Sequence, residues 1–280
     1  MSSESVSHSA EDVRLSTSEV GAGSRRVVFL HGLMGRGKNF TSIAKALADD
    51  FRSLLVDLPN HGDSGWTEDF DYAETADIVA AQLRAGFAAD GPVAVVGHSL
   101  GGKVAMVLAL RHPELVSALV VVDISPVPRD DGEGEFEHLL GTLSALDLAA
   151  LDSRTDADEA LSEPIGDARV RGFLLQNLRR VKDADSGRSS FAWQPNLHML
   201  YRALPQIGGF PDPGGAQYEG PVLWVAGGDS DYVRDEDADS MRELFPRTTR
   251  ISIKGAGHWV HSERPEEFIS TVRWFLTRGD

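Results

Sequence analysis

The chain of 280 residues contains no cysteine. Disulfides, thiolate nucleophiles and thiolate metal sites are thereby excluded, and packing and hydrogen bonding must hold the fold. Cations are scarce too: 27 Lys and Arg stand against 43 Asp and Glu, a formal net charge of −16. Such a surface repels nucleic-acid backbone and anionic membrane at long range, so the expected partner is a small molecule. No apolar run approaches the ~18 residues of a membrane-spanning helix. The opening MSSESVSHSAED lacks the basic and apolar regions of a secretory signal. Residues 1–12 are expected to be a disordered tail, and the protein to be cytoplasmic. Composition leaves oligomeric state open, and neither repeats nor low-complexity tracts are present.

What the chain does contain is an alternation of apolar strands with amphipathic helices. Arg26 to Leu30 reads as a buried strand running into His31-Gly32-Leu33-Met34-Gly35. A helix follows, with Asn39 as its N-cap and Phe40, Ile43, Ala44 and Leu47 on one face. Phe51 to Leu58 is a second strand, Tyr72 to Phe87 a second helix, and Leu119 to Asp123 a further strand. Val13 to Val20 offers one or two short edge strands. Continuous apolar strands separated by helices predict a mostly parallel sheet covered on both faces, with ligands bound beyond the carboxyl ends of the strands.

The pattern changes after Asp123. Up to about Leu204 no convincing strand is legible. The segment instead carries helical stripes: Phe136, Leu139, Leu140, Leu143 and Leu146, then Phe173, Leu174, Leu178 and Val181, then Leu197, Leu200 and Tyr201. Residues 125–214 are therefore expected to form an inserted helical cap over a core made of residues 13–124 and 215–280. Strands resume at Pro221 to Gly227 and Thr249 to Ile253, and a terminal helix runs from Pro265 to Leu276.

The most informative stretch is Val93 to Leu110, VAVVGHSLGGKVAMVLAL. A β-branched strand, the turn Gly-His-Ser-Leu-Gly and a helix make a G-x-S-x-G nucleophile elbow in the context that motif requires. A serine there needs an adjacent base and an acid to orient that base. His258, in the Gly-flanked loop after the last strand, is the base. His261 falls where that loop turns into helix, and His98 supports the elbow. For the acid, Asp123, Asp229 and Asp231 all follow strands that could bring them to the histidine, and spacing does not choose among them. The backbone amides of Leu100 and Leu33 are the candidate oxyanion donors.

Other polar groups read as architecture. His31 is a hydrogen-bonding residue of its loop, and Asp57, His61, Asp63 and Ser64 form a turn rather than a metal site. Gly35-Arg36-Gly37-Lys38 lacks the phosphate-loop pattern. Lys103 reads as a partly buried structural cation, and Phe191, Trp193 and Trp259 as core or cap packing. No cofactor or metal is called for.

Taken together and in order, HGLMG, DLPNHGDSG, GHSLGGK, VVVDISPV, FAWQPNL and GAGHWVHSERP resemble the small α/β-hydrolase esterases related to abhydrolase-domain-containing protein 11. The likeness runs from Arg26 to the C-terminus; GHSLGG and HG are shared across the superfamily, whereas VDISPV and FAWQPNL point to this branch. It implies an α/β-hydrolase fold and hydrolysis of short acyl esters. In that branch the acid lies at the position of Asp123, while the superfamily's commoner acid position falls on Ser230, which cannot serve. The resemblance thus favours Asp123, with Asp229 and Asp231 as alternatives on either side of that serine.

The expected activity is a serine carboxylesterase for short-to-medium acyl esters working through an acyl-enzyme. Two other readings stand beside it: transfer to alcohols, or thioester or carbon–carbon hydrolysis, on the same triad; and a catalytically silent ligand-binding module.

Overall fold

A computed structural model describes residues 13–128, 134–182 and 189–278. The tail expected over residues 1–12 lies outside the described residues. The strands are β1 (Thr17–Val20), β2 (Arg25–Leu30), β3 (Phe51–Val56), β4 (Val93–His98), β5 (Val116–Val122), β6 (Leu178–Lys182), β7 (Ser189–Trp193), β8 (Val222–Gly227) and β9 (Thr248–Ile253). The main sheet has seven strands in the order β1-β3-β2-β4-β5-β8-β9. All its neighbours pair in parallel except β1, an antiparallel edge strand on β3.

The helices of the first half are α1 (Thr41–Ala46), α2 (Tyr72–Arg84) and α3 (Leu100–Arg111). Between β5 and β8 come α4 (Glu135–Ala145), α5 (Arg154–Leu161), α6 (Ala168–Leu175), α7 (Leu197–Arg202) and α8 (Leu204–Gly208). The chain ends with α9 (Ala238–Leu244), α10 (Val260–Glu263) and α11 (Pro265–Thr277).

Strand periodicity explains why the central strands read as unbroken apolar runs. On one face Val28, Leu30, Val95, Leu119, Val121 and Trp224 pack with α2 and α3. On the other, Val27, Phe29, Val96, Val120, Val122 and Val225 pack with Phe40, Ile43 and Leu47 beside α1 and with Phe268, Val272 and Phe275 of α11. Both faces being covered, every residue of β4 is buried.

Two sequence expectations need correction. Asn39 is not the N-cap of α1. It lies in a short 3-10 turn, Gly37–Phe40, that precedes the helix, and its side-chain oxygen accepts from the Arg36 amide at 2.7 Å. The helical stripe through Leu178 and Val181 is also wrong. Helix α6 stops at Leu175, and Leu178 and Val181 lie in β6, which pairs with β7 as an antiparallel hairpin. Only Leu178 of β6 is buried, and Arg179, Arg180 and Lys182 supply no apolar alternation, so the strand had no periodic signature.

Candidate active site

The elbow is set by backbone contact. Gly97 lies so close to α3 that a Cβ there would stand 2.2 Å from the Gly101 oxygen, and one on Gly101 would stand 2.4 Å from the Leu30 oxygen. Larger side chains would force α3 away from β2 and β4. Ser99, between strand and helix, takes φ 53° and ψ −120°, a left-handed φ rare for a side-chain-bearing residue. Its amide donates to the Val122 carbonyl at 3.0 Å, tying the turn to the end of β5.

At that end Asp123, wholly buried and also at positive φ (49°), receives three donors. The Gly227 amide donates to Oδ1 at 2.8 Å, and the Ser230 hydroxyl and His258 Nδ1, the latter at 2.9 Å, both donate to Oδ2. Trp224 Nε1 holds the next carbonyl, that of Ile124, at 2.7 Å. With Nδ1–H given to the carboxylate, Nε2 of His258 is the acceptor nitrogen; it is buried and has no hydrogen-bond partner. The ring stacks on Tyr232 at 4.0 Å between centroids. Asp229 and Asp231 lie on the exposed part of the same loop. The structure therefore joins His258 to Asp123.

His98 takes a supporting position. Its Nε2 donates to the backbone carbonyl of His258 at 2.8 Å, so the residue preceding the elbow serine holds the loop carrying the second histidine. The first loop presses on the elbow from the other side: a Cβ on Gly32 would stand 2.9 Å from His98 Nδ1 and 3.3 Å from Ser99 Cβ. Leu33, Ser99, His258 and Trp259 line one cavity with Phe136 of α4 and Phe173 of α6. Its free space is about 20 Å³, roughly that of one water. A wider groove of about 630 Å³ adjoins it, sharing Asn39, Phe173, Trp259 and His261.

The remaining polar residues are accounted for by the loops. His31 Nδ1 donates to the Gly32 carbonyl at 2.8 Å and its Nε2 accepts from the Leu58 amide at 2.9 Å, which fixes one neutral tautomer. Asp57 accepts from the amides of Gly37 at 2.7 Å and Asp63 at 3.0 Å, joining the loops after β2 and β3. Lys103 is fully rather than partly buried. Its Nζ donates to the carbonyls of Gly208 and Gly209 at 2.7 Å, at the C-terminus of α8. Among the described residues no cluster of three or more His, Asp or Glu is arranged to hold a metal, and no helix is long and apolar enough to cross a membrane.

Sequence reasoning had missed two of these contacts. Ser230 cannot act as an acid, yet its hydroxyl donates to the carboxylate of Asp123. Tyr232, under the His258 ring, carried no signal at all.

Burial keeps the surrounding imidazoles neutral. Desolvation, opposed by the Gly32 carbonyl, lowers His31 to about 4. Desolvation and then the nearby His31 bring His61 to about 3, and desolvation and then His258 bring His261 to about 4. His98 is also held well below its usual range, chiefly by burial. In the unfolded chain each titrates near 6.5. Between the two values the unfolded state binds the extra protons, so their contribution to stability is complete above about pH 6.5 and declines as pH falls toward the folded values. At about 1.4 kcal/mol per unit of separation, acidification from pH 7 to 4 is expected to remove on the order of several kcal/mol. Urea midpoints measured across that range will check it; a midpoint independent of pH would contradict it.

Comparison with known proteins agrees with this architecture. The profile of the alpha/beta hydrolase fold family matches residues 25–265. The sn-1-specific diacylglycerol lipase ABHD11 of Mus musculus is 40% identical over 257 residues, covering 89% of this chain and 80% of that one. A Saccharomyces cerevisiae protein named "Probable alcohol acetyltransferase" is 32% identical over 266 residues, covering 91% and 78%. Among solved structures, a marine microorganism esterase superposes with a TM-score of 0.87 at 30% identity, covering 95% of this chain and 100% of that one. From its sheet, its elbow and these matches, the chain belongs to the alpha/beta hydrolase fold family, in a branch of ester-cleaving serine hydrolases.

Proposed function

We propose that the protein is a carboxylesterase for short-to-medium acyl esters, working through an acyl-enzyme on Ser99. The observation that carries this reading is His258, with Nδ1 on a buried carboxylate and Nε2 unpartnered beside the cavity that Ser99 lines. Nε2 takes the Ser99 proton as Oγ attacks the ester carbonyl, and Asp123 stabilises the imidazolium that forms. The amides of Leu33 and Leu100 hold the oxyanion, the second at the N-terminus of α3, where the helix dipole also favours negative charge. His258 then protonates the leaving alkoxide, and water repeats the sequence on the acyl group.

Residues 125–214 act as the cap in this reading. Phe136 and Phe173, from two of its helices, close the space above Ser99. The narrow space they leave beside Ser99, about 20 Å³, supports a preference for the shorter chains. The diacylglycerol named for the mouse relative is a larger ester than these.

A second reading, acyl transfer to an alcohol, is favoured by the yeast relative. It differs only in which hydroxyl attacks the acyl-enzyme. p-Nitrophenyl acetate and butyrate should be turned over, and a fluorophosphonate probe should label Ser99. Added ethanol will divide the product between free acid and ethyl ester; predominant ethyl ester would establish the transfer reading. Absence of both turnover and labelling would leave a silent binding module.

A further inference from the structure

The loop after β2 contains an unusual turn. Gly32 and Gly35 close it with a 2.9 Å bond from the Gly35 amide to the Gly32 carbonyl, and Met34, at its third position, has φ 58°. That position favours glycine or asparagine, because other side chains are strained there. A buried methionine stays in it only when the surroundings hold the backbone. The restraint comes from the insertion: the Asn177 side-chain Nδ2 donates to the Met34 carbonyl at 2.7 Å, between two buried residues 143 positions apart. The peptide unit linking Met34 to Gly35 is thus fixed at both poles, its C=O by Asn177 and its N–H by Gly32.

Asn177 is itself immobilised. It follows α6, its amide donates to the Leu174 carbonyl at 3.1 Å, and its own carbonyl accepts from the Gln194 amide at 2.9 Å. Its side-chain oxygen is buried with no partner. An apolar residue would fill the same space without that penalty, so what the asparagine supplies is its donor.

We infer that Asn177 is a positioning residue that holds the Gly32–Gly35 turn in the form that aims the Leu33 amide at the oxyanion, so that docking of the insertion completes the hole. This rests on the esterase reading above. The insertion then contributes to transition-state binding as well as to the shape of the pocket. Ground-state binding of the ester does not depend on it.

The test uses Asn177→Leu, which keeps the volume and removes the donor, with Arg171→Met as the control. Arg171 braces the insertion internally, through the Ile165 carbonyl at 2.8 Å and Asp158 at 2.9 Å, without touching the turn. The probe is 1,1,1-trifluoro-2-octanone. Ser99 Oγ adds to its carbonyl carbon, the hydroxyl proton passes to His258 Nε2, and the carbonyl electron pair becomes an oxyanion in the hole. Asn177→Leu should lower kcat for p-nitrophenyl butyrate and the affinity for the ketone in parallel, by about 10²-fold, with KM unchanged and cooperative melting retained. Arg171→Met should bind the ketone like wild type. Undiminished ketone affinity in Asn177→Leu, or an equal loss in Arg171→Met, overturns the inference. If the wild type itself neither binds the ketone nor turns over the ester, the esterase reading has failed instead.

Discussion

Ser99→Ala is expected to lower kcat for p-nitrophenyl butyrate on the order of 10⁶-fold. The size follows from the elbow. Ser99 is held at φ 53° by its amide bond to Val122 and by the close packing of Gly97 and Gly101, and among the residues lining its cavity it is the one that carries a hydroxyl. What the variant keeps is the oxyanion pair and substrate binding, which alone leave a residual ~10³–10⁴ over uncatalysed hydrolysis. The fold should be intact, since alanine removes one oxygen, although the positive φ still has to be borne by a Cβ. Turnover within tenfold of wild type, with matching melting curves, would refute the assignment of Ser99.

Asp123→Asn is the second large effect, about 10⁴-fold in kcat. The carboxylate receives donors from Gly227, Ser230 and His258. An asparagine carries only one acceptor oxygen, so its NH₂ group must face at least one donor. If it faces His258, the imidazole is driven to the other tautomer and Nε2 no longer accepts the serine proton. Asp229→Asn and Asp231→Asn, on the exposed stretch of the β8 loop, should each stay within a few-fold of wild type. The reverse pattern would move the acid to that loop.

How far the sequence could be read depended on whether a signal was local. The elbow was legible because strand, turn and helix are contiguous, and because Gly97 and Gly101 are required by backbone approaches of 2.2 and 2.4 Å. The parallel sheet was legible because both its faces are buried. The choice of acid was not legible from spacing, because it depends on how neighbouring strands are aligned; the family resemblance alone favoured Asp123. β5 and β8 pair with Val122 opposite Val225, which puts Asp123 beside the Gly227 amide and leaves Asp229 and Asp231 further out. The hairpin β6–β7 escaped because only Leu178 of its ten strand residues is buried, and the three basic residues of β6 leave no apolar alternation. Asn39 looked like a helix cap since it caps a turn, one element earlier than expected.

The bond from Ser230 to Asp123 ties the loop after β8 to the end of β5. The hydroxyl comes from the loop after β8 and the imidazole from the loop after β9, and both donate to the same oxygen, Oδ2 of the carboxylate at the end of β5. The imidazole reads where negative charge sits and is indifferent to which strand delivers it. Two strand ends therefore converge on one carboxylate oxygen beside the imidazole, β5 supplying the carboxylate and the loop after β8 a hydroxyl that shares it.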